Sequence, residues 1–207
     1  MPDPAERLMA LGAATLGEAG GRTMSPRVHP VWLGTRLAAP AFAVRCTPGD
    51  NLAVHVAVAH APAGSALAVE VGVEREIGYW GEVLTTAAQA RGVAGLVIDG
   101  CVRDSAALEA HGFPVFSTGV ALPGASKKLS GAVGGAAEVG DVTVQTGDWL
   151  VADADGVTVI AAAALDQVLA AGAARADRER TLFAELRAGK TTVELLGLDA
   201  SPVEDEG

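Results

Sequence analysis

Six consecutive residues, Asp99-Gly100-Cys101-Val102-Arg103-Asp104, put a planar cation beside hard oxygen donors at the end of an apolar run. An arginine fork pairs bidentately with a carboxylate. An aspartate next to it suits Mg²⁺ or Mn²⁺, which take one or two protein carboxylates and keep several waters. Residues 94–99 read as a buried strand, and ligands of α/β sheets gather at the carboxyl ends of strands. The segment therefore predicts a small-molecule site in which Arg103 grips a carboxylate and Asp104 serves a divalent metal. The residues alone leave a second reading open, in which Arg103 and Asp104 pair with each other or cap the helix starting near Ser105. Gly78-Tyr79-Trp80-Gly81-Glu82-Val83-Leu84 is a further candidate. A helix is expected to start at Gly81, where the first N–H groups lack partners and the helix dipole is positive. A glycine there lets a carboxylate or phosphate approach the amides; it also suits an ordinary helix start.

Other reactive side chains suggest less. His55 and His60 are five residues apart, off the spacing that places two ligands on one helix face, and His111 precedes a helix-ending glycine. No HxH, HExxH or CxxC pattern occurs, so the histidines read as structural or surface residues and no zinc site is expected. Cys46 and Cys101 make no disulfide framework and read as reduced thiols. Nucleotide binding has no support, since neither GxGxxG after a strand nor GxxxxGK[ST] is present. Lys127-Lys128, in a Gly-rich loop, could meet an anionic substrate but reads first as a solvated pair.

The elements that must position these residues alternate. A helix is expected over 5–19, stopped by Gly20-Gly21, then a Pro- and Gly-rich loop over 21–40. A strand over 41–46 leads through a turn, with Asp50 or Asn51 as cap, into a helix over 51–60. Strands over 66–71, 94–99 and 114–117 alternate with a helix over 81–90 and a short one, capped by Ser105, that ends at His111-Gly112. A long flexible loop is expected over 119–135. Short strands over 141–145, 149–153 and 157–160 follow, joined by Gly-Asp and Asp-Gly turns. An Ala-rich helix over about 162–188 ends in a charged stretch suited to the surface or another subunit.

The bulk composition agrees with such an α/β chain. It has 207 residues, half of them hydrophobic but only 4% aromatic, so the core must be Ala, Val and Leu packed closely. The net charge of −10 disfavours nucleic acid and anionic lipid as partners. No apolar run is long enough for a membrane span, and residues 1–6 lack the look of a signal peptide. A cytoplasmic location is expected.

The stretches Trp80-Gly81-Glu82, Arg91-Gly92-Val93-Ala94-Gly95, Val97-Ile98-Asp99-Gly100, Val102-Arg103-Asp104 and Gly112-Phe113-Pro114-Val115-Phe116 resemble the 4-hydroxy-4-methyl-2-oxoglutarate aldolases and their relatives, the regulators of ribonuclease activity A. Gly49-Asp50-Asn51, Gly147-Asp148 and Asp155-Gly156-Val157 also fit, and the likeness spans about residues 8–198. It implies one aldolase-like domain over 1–207, a swivelling β/β/α sandwich with a helical C-terminal tail over about 162–207. It also implies assembly into trimers or hexamers, with sites between subunits. The activity it implies is that of a metal-dependent class II pyruvate aldolase. Such an enzyme cleaves 4-hydroxy-2-oxo acids of the 4-hydroxy-4-methyl-2-oxoglutarate or 4-carboxy-4-hydroxy-2-oxoadipate type, and it decarboxylates oxaloacetate. By the same resemblance, Gly81, Glu82, Val83 and Leu84 bind the pyruvyl end and Arg103 holds the substrate. Asp104 is then the direct ligand of Mg²⁺ or Mn²⁺. Glu82, and Glu179 of a neighbouring subunit, orient metal-held water, the base expected to take the 4-hydroxyl proton. Glu18 stands where many relatives carry aspartate, and Cys101 is at a variable position. Cleavage leaves a pyruvate enolate whose charge a metal and Arg103 can share. A non-enzymatic binding protein like the ribonuclease regulators is the alternative. Asp104 separates the two, because the resemblance implies that non-catalytic relatives lose it.

Overall fold

The computed structural model describes residues 3–204. Its spine is the ten-residue strand Leu37–Cys46, which changes partners along its length. Leu37 to Pro40 pair antiparallel with Trp149–Asp153, while Ala41 to Arg45 pair parallel with Ala66–Glu70. Val44 to Cys46 also meet Gly131–Val133 across the opposite edge. Proline has no N–H to give a ladder, and Pro40 stands where the first set of pairings ends and the second begins. The sequence reading started this strand at Ala41 and left Pro40 in a loop; the structure starts it at Leu37.

From the spine the sheet runs one way through the parallel strands Ala66–Glu70, Gly95–Ile98 and Val115–Ser117, edged by His29–Pro30. It runs the other way through Trp149–Asp153, Gly156–Ile160 and Arg22–Thr23, all antiparallel. The parallel strands are buried on both faces, which explains their nearly unbroken apolar runs. On one face Phe42, Val44, Leu67, Val69, Leu96 and Ile98 pack against the helices Leu52–His60, Glu82–Ala90 and Ser105–Ala110. On the other, the small side chains of Ala41, Ala43, Ala66 and Ala68 let a second β layer approach, the hairpin of Ala136–Val139 and Val142–Gln145. This is the expected β/β/α sandwich. A third cluster joins Leu8 and Leu16 of the N-terminal helices to Val168 and Leu169 of the long helix Leu165–Arg187.

Four local expectations need correction. The helix expected over 5–19 is two helices, Pro4–Leu11 and Ala13–Glu18, parted at Gly12 with φ +80. A remote residue caps the second, since Asp153 Oδ2 accepts the Ala13 N–H at 2.8 Å. The loop expected over 119–135 holds two short strands, Gly119–Val120 and Gly131–Val133. The strand Ala136–Val139 was not expected. Its turn is Gly140-Asp141, both at positive φ (57 and 65), the conformation that two-residue hairpin turns require. Finally, Asp104 and not Ser105 stands at the N-cap of the helix Ser105–Ala110. Among the described residues no helix is long and apolar enough to cross a membrane.

Candidate functional site

Two backbone segments run side by side to form the floor of a cleft of about 250 Å³. Trp80 forms a parallel bridge with Val102, and the Arg103 N–H donates to the Trp80 carbonyl at 2.8 Å. Trp80 is anchored beneath, its Nε1 donating to Thr85 Oγ1 at 2.7 Å and its ring stacked on Phe113 with centroids 5.7 Å apart. The bridge delivers Gly81 and Asp104, 23 positions apart in the chain, to the same point. There Asp104 Oδ2 accepts the Glu82 N–H at 3.1 Å. Asp104 therefore occupies the N-cap position of one helix while its side chain caps another.

Of the readings the residues left open, the local ion pair is weak. Arg103 Nε lies 3.7 Å from Asp104 Oδ2 and both side chains are more than two-fifths exposed, where such a pair contributes little. Arg103 lies in a slot cleared by glycines. A Cβ on Gly78 or Gly124 would come within 3.2 Å of its side chain, and one on Gly81 would sit 2.4 Å from Asp104 Oδ2. The Val83 and Leu84 N–H groups, at the second and third positions of the helix Glu82–Ala90, have no acceptor within the helix. Both residues line the cleft with Arg103 and Asp104. This wall can hold a carboxylate between a guanidinium and two amides.

The other wall was not foreseen. Asn51 and His55, one helical turn apart, line the same cleft, as does Lys127. His55, expected to be a structural or surface residue, instead lines the cleft. Lys127 is exposed on its loop, as a solvated residue should be, and reaches the cleft as well. The sequence signal for this wall is the Asn51/His55 spacing of four, which places the two on one helix face. Asp50, 1% exposed, ties this wall together. Its Oδ1 accepts the Leu52 N–H at 2.8 Å and its Oδ2 accepts the N–H groups of Lys128 and Leu129. Burial alone would raise its carboxyl, but these N–H groups and the Ser126 hydroxyl hold it at about 2.

Two predicted participants sit elsewhere. Asp99 ends the strand but turns away from the cleft, where Arg27 (2.9 Å to each oxygen) and Arg75 (3.0 Å) enclose it. Burial opposes ionisation there, and the two guanidinium groups outweigh it to keep the carboxyl below its ordinary range. Glu179 pairs with Arg175, which also meets Glu18; Glu179 does not line the cleft of its own chain. Glu82 meets Asp104 only through its backbone N–H; its exposed carboxylate lies 3.5 Å from His111 Nε2 and does not line the cleft. Cys101 is buried, with Sγ 3.8 Å from the Thr118 hydroxyl.

Among the described residues no cluster of three or more His, Cys, Asp or Glu could enclose a metal. The donor set fits a different arrangement. Asp104 is a hard oxygen donor at an open mouth, and Gly81 has no side chain to fill the space beside it. A Mg²⁺-like ion held there would draw its other ligands from water and from a chelating substrate.

Residues 10–159 match a family model described as RraA-like, Aldolase/RraA. The chain is 32% identical over 141 residues to a Halalkalibacterium halodurans protein named "Putative 4-hydroxy-4-methyl-2-oxoglutarate aldolase", a match covering 68% of this chain and 67% of that one. An uncharacterized protein from Pseudomonas syringae pv. tomato has a similar structure, with TM-score 0.82 and 27% identity over 91% of this chain and 90% of that one. The RNA-processing inhibitor RraA from Thermus thermophilis shares the fold, with TM-score 0.64 and 24% identity over 77% of this chain and 93% of that one.

Proposed function

The chain belongs to the RraA-like, Aldolase/RraA family, which holds both aldolases and RraA regulators, and from that membership we propose that it is a metal-dependent pyruvate lyase. Its substrates are 4-hydroxy-2-oxo acids of the 4-hydroxy-4-methyl-2-oxoglutarate type, and it also decarboxylates oxaloacetate. The observation that carries the reading is the meeting of Arg103, Asp104 and the unpaired Val83 and Leu84 amides on one wall. A regulator needs no such convergence of carboxylate grip and hard oxygen donor.

The geometry supports the following division of labour. Arg103 pairs with the substrate's carboxylate, and the Val83 and Leu84 amides donate to the same end, so the pyruvyl half is oriented from two sides. Asp104 would hold Mg²⁺ or Mn²⁺; Glu82, whose carboxylate rests near His111 in this structure, would have to turn toward the cleft to orient the ion's water. When bound, the cation supplies a Lewis acid for the charge that develops on the 2-oxo oxygen. Arg103 offsets the remaining negative charge, which matters in a chain of net charge −10 that repels anions at long range.

The same reading includes assembly. Val83 lines the cleft yet is 78% exposed, and Leu122 and Val73 are similarly bare at 86% and 83%. A neighbouring subunit covering this side in a trimer or hexamer would close the cleft, and the proposal gives its Glu179 the task of reaching the metal's water.

The test is pyruvate release from oxaloacetate with and without Mg²⁺. Turnover should depend on the metal and vanish with a chelator. Asp104→Asn should reduce it by ~100-fold or more, the scale of removing a group that stabilises developing charge. Metal-independent turnover, or full turnover in Asp104→Asn, would count against the proposal.

A further inference from the structure

The wall formed by Asn51 and His55 has no part in gripping the pyruvyl half, yet it is built with care. Asn51 is 5% exposed. Its Nδ2 donates to the Tyr79 carbonyl at 2.8 Å, which fixes the amide so that Oδ1 is the free end. That buried Oδ1 has no partner among the described residues, and neither does the buried Nε2 of His55. The His55 N–H donates to the Asn51 carbonyl at 3.2 Å, so the two side chains leave one face of one helical turn. Both line the cleft that Arg103 and Asp104 also line. With its ring proton on Nδ1, His55 offers an acceptor at Nε2 one helical turn from Asn51 Oδ1, and the two suit a ligand that brings a hydroxyl.

We propose that His55 is the proton acceptor for carbon–carbon cleavage and that Asn51 Oδ1 holds the same hydroxyl in place beforehand. The inference rests on the lyase reading above and extends it to the reacting bond. In the bound state the substrate's 4-hydroxyl shares its hydrogen between Asn51 Oδ1 and His55 Nε2 in a three-centre bond. As the C3–C4 bond breaks, that proton moves fully onto His55 Nε2 and the C4–O bond becomes a carbonyl. The electron pair of the broken bond forms C2=C3, leaving charge on the 2-oxo oxygen. The enolate then takes a proton at C3 from water, and His55 returns its proton to solvent. The ring must be neutral to begin, with its own proton on Nδ1. Burial, with a contribution from the Lys127 ammonium and against a smaller opposing pull from Asp50, keeps His55 below the ordinary histidine range.

Oxaloacetate has no hydroxyl to deprotonate. It loses CO₂ from the same pyruvyl grip, so the two reactions separate the two walls. The experiment compares His55→Gln with wild type, both as the full chain with Mg²⁺, on 4-hydroxy-4-methyl-2-oxoglutarate and on oxaloacetate. Cleavage should fall by about 100-fold or more, the usual worth of a positioned base, and should fall at least about ten-fold further than decarboxylation does. Imidazole added to His55→Ala should restore part of the cleavage rate and leave decarboxylation unmoved. Equal losses in both reactions, or cleavage that persists in His55→Gln, would overturn the assignment of His55 and leave the pyruvyl grip standing. A wild-type protein that decarboxylates but does not cleave would do the same. A wild-type protein that does neither with Mg²⁺ would overturn the lyase reading and this inference with it.

Discussion

At Asp104 the backbone takes φ 57, a left-handed conformation that aspartate and asparagine tolerate better than most residues. Asp104→Asn therefore isolates the loss of charge from backbone strain, and for that reason it is preferable to alanine in testing the metal role. Gly81 makes the opposite case. Its φ of −163 is open to any residue, so what excludes a side chain is space, namely the 2.4 Å from a would-be Cβ to Asp104 Oδ2 and the 3.2 Å to Arg103 Cγ. Both neighbours are flexible and half-exposed and can move aside. Gly81→Ala should therefore lower kcat/KM for oxaloacetate by about ten-fold or more, from misplaced groups at the reacting centre, with only a slight fall in the melting temperature. A Mg²⁺ titration should show weaker binding in the same variant. Arg103, Asp104 and the Gly81 turn were legible in the sequence because each carries its chemistry in its own neighbourhood. Asp99 was not, because its partners Arg27 and Arg75 arrive from distant segments. His55 was not, because its partner in the cleft is Asn51, and a histidine four residues after an asparagine matches no metal-ligand spacing.

Among the elements, the segment 124–129 shows how the unforeseen wall is held. Asp50 draws in the backbone N–H groups of Lys128 and Leu129, and Asp50 and Ser126 are bridged, so Lys127 is kept at the cleft. The Asp50 carboxyl titrates at about 2 in the fold, below the roughly 3.9 of an unfolded chain. A depressed value of this kind stabilises the fold above pH ~4 and loses that contribution as pH falls toward 2. Acid unfolding followed by circular dichroism should show this limb in the wild type. Asp50→Asn should flatten it and cost about 2 kcal/mol near neutrality, the scale of hydrogen bonds to a charged group. The long helix starts at Leu165, three residues later than expected, after a 3-10 turn over Ala162–Ala164. The helices Leu52–His60 and Glu82–Ala90 and the parallel strands were readable within a residue or two, from periodicity and flanking glycines. The breaks at Gly12 and the strand Ala136–Val139 were not. The first depends on Asp153, 140 residues away in the chain, and the second on a partner strand whose small-residue contacts leave no strong local pattern.

For the whole molecule, the assembly reading predicts that a complete site draws on two chains. Asp104→Asn and Glu179→Gln should each be poorly active alone. When the two variants are unfolded, mixed and refolded together, a share of the sites should recover both wild-type groups, and activity above either parent should return. If the mixture stays at the level of its parents, Glu179 does not serve a neighbour's site. A last consequence belongs to the spine strand. Residues 37–40 pair with residues 149–152, so during synthesis the first half of Leu37–Cys46 must wait for more than a hundred residues to emerge, while its second half can pair with Ala66–Glu70 almost at once. Such distant pairing slows folding and leaves an unpaired strand edge in the interval. Pro40, at the changeover, gives that waiting edge one donor fewer to offer a stray strand.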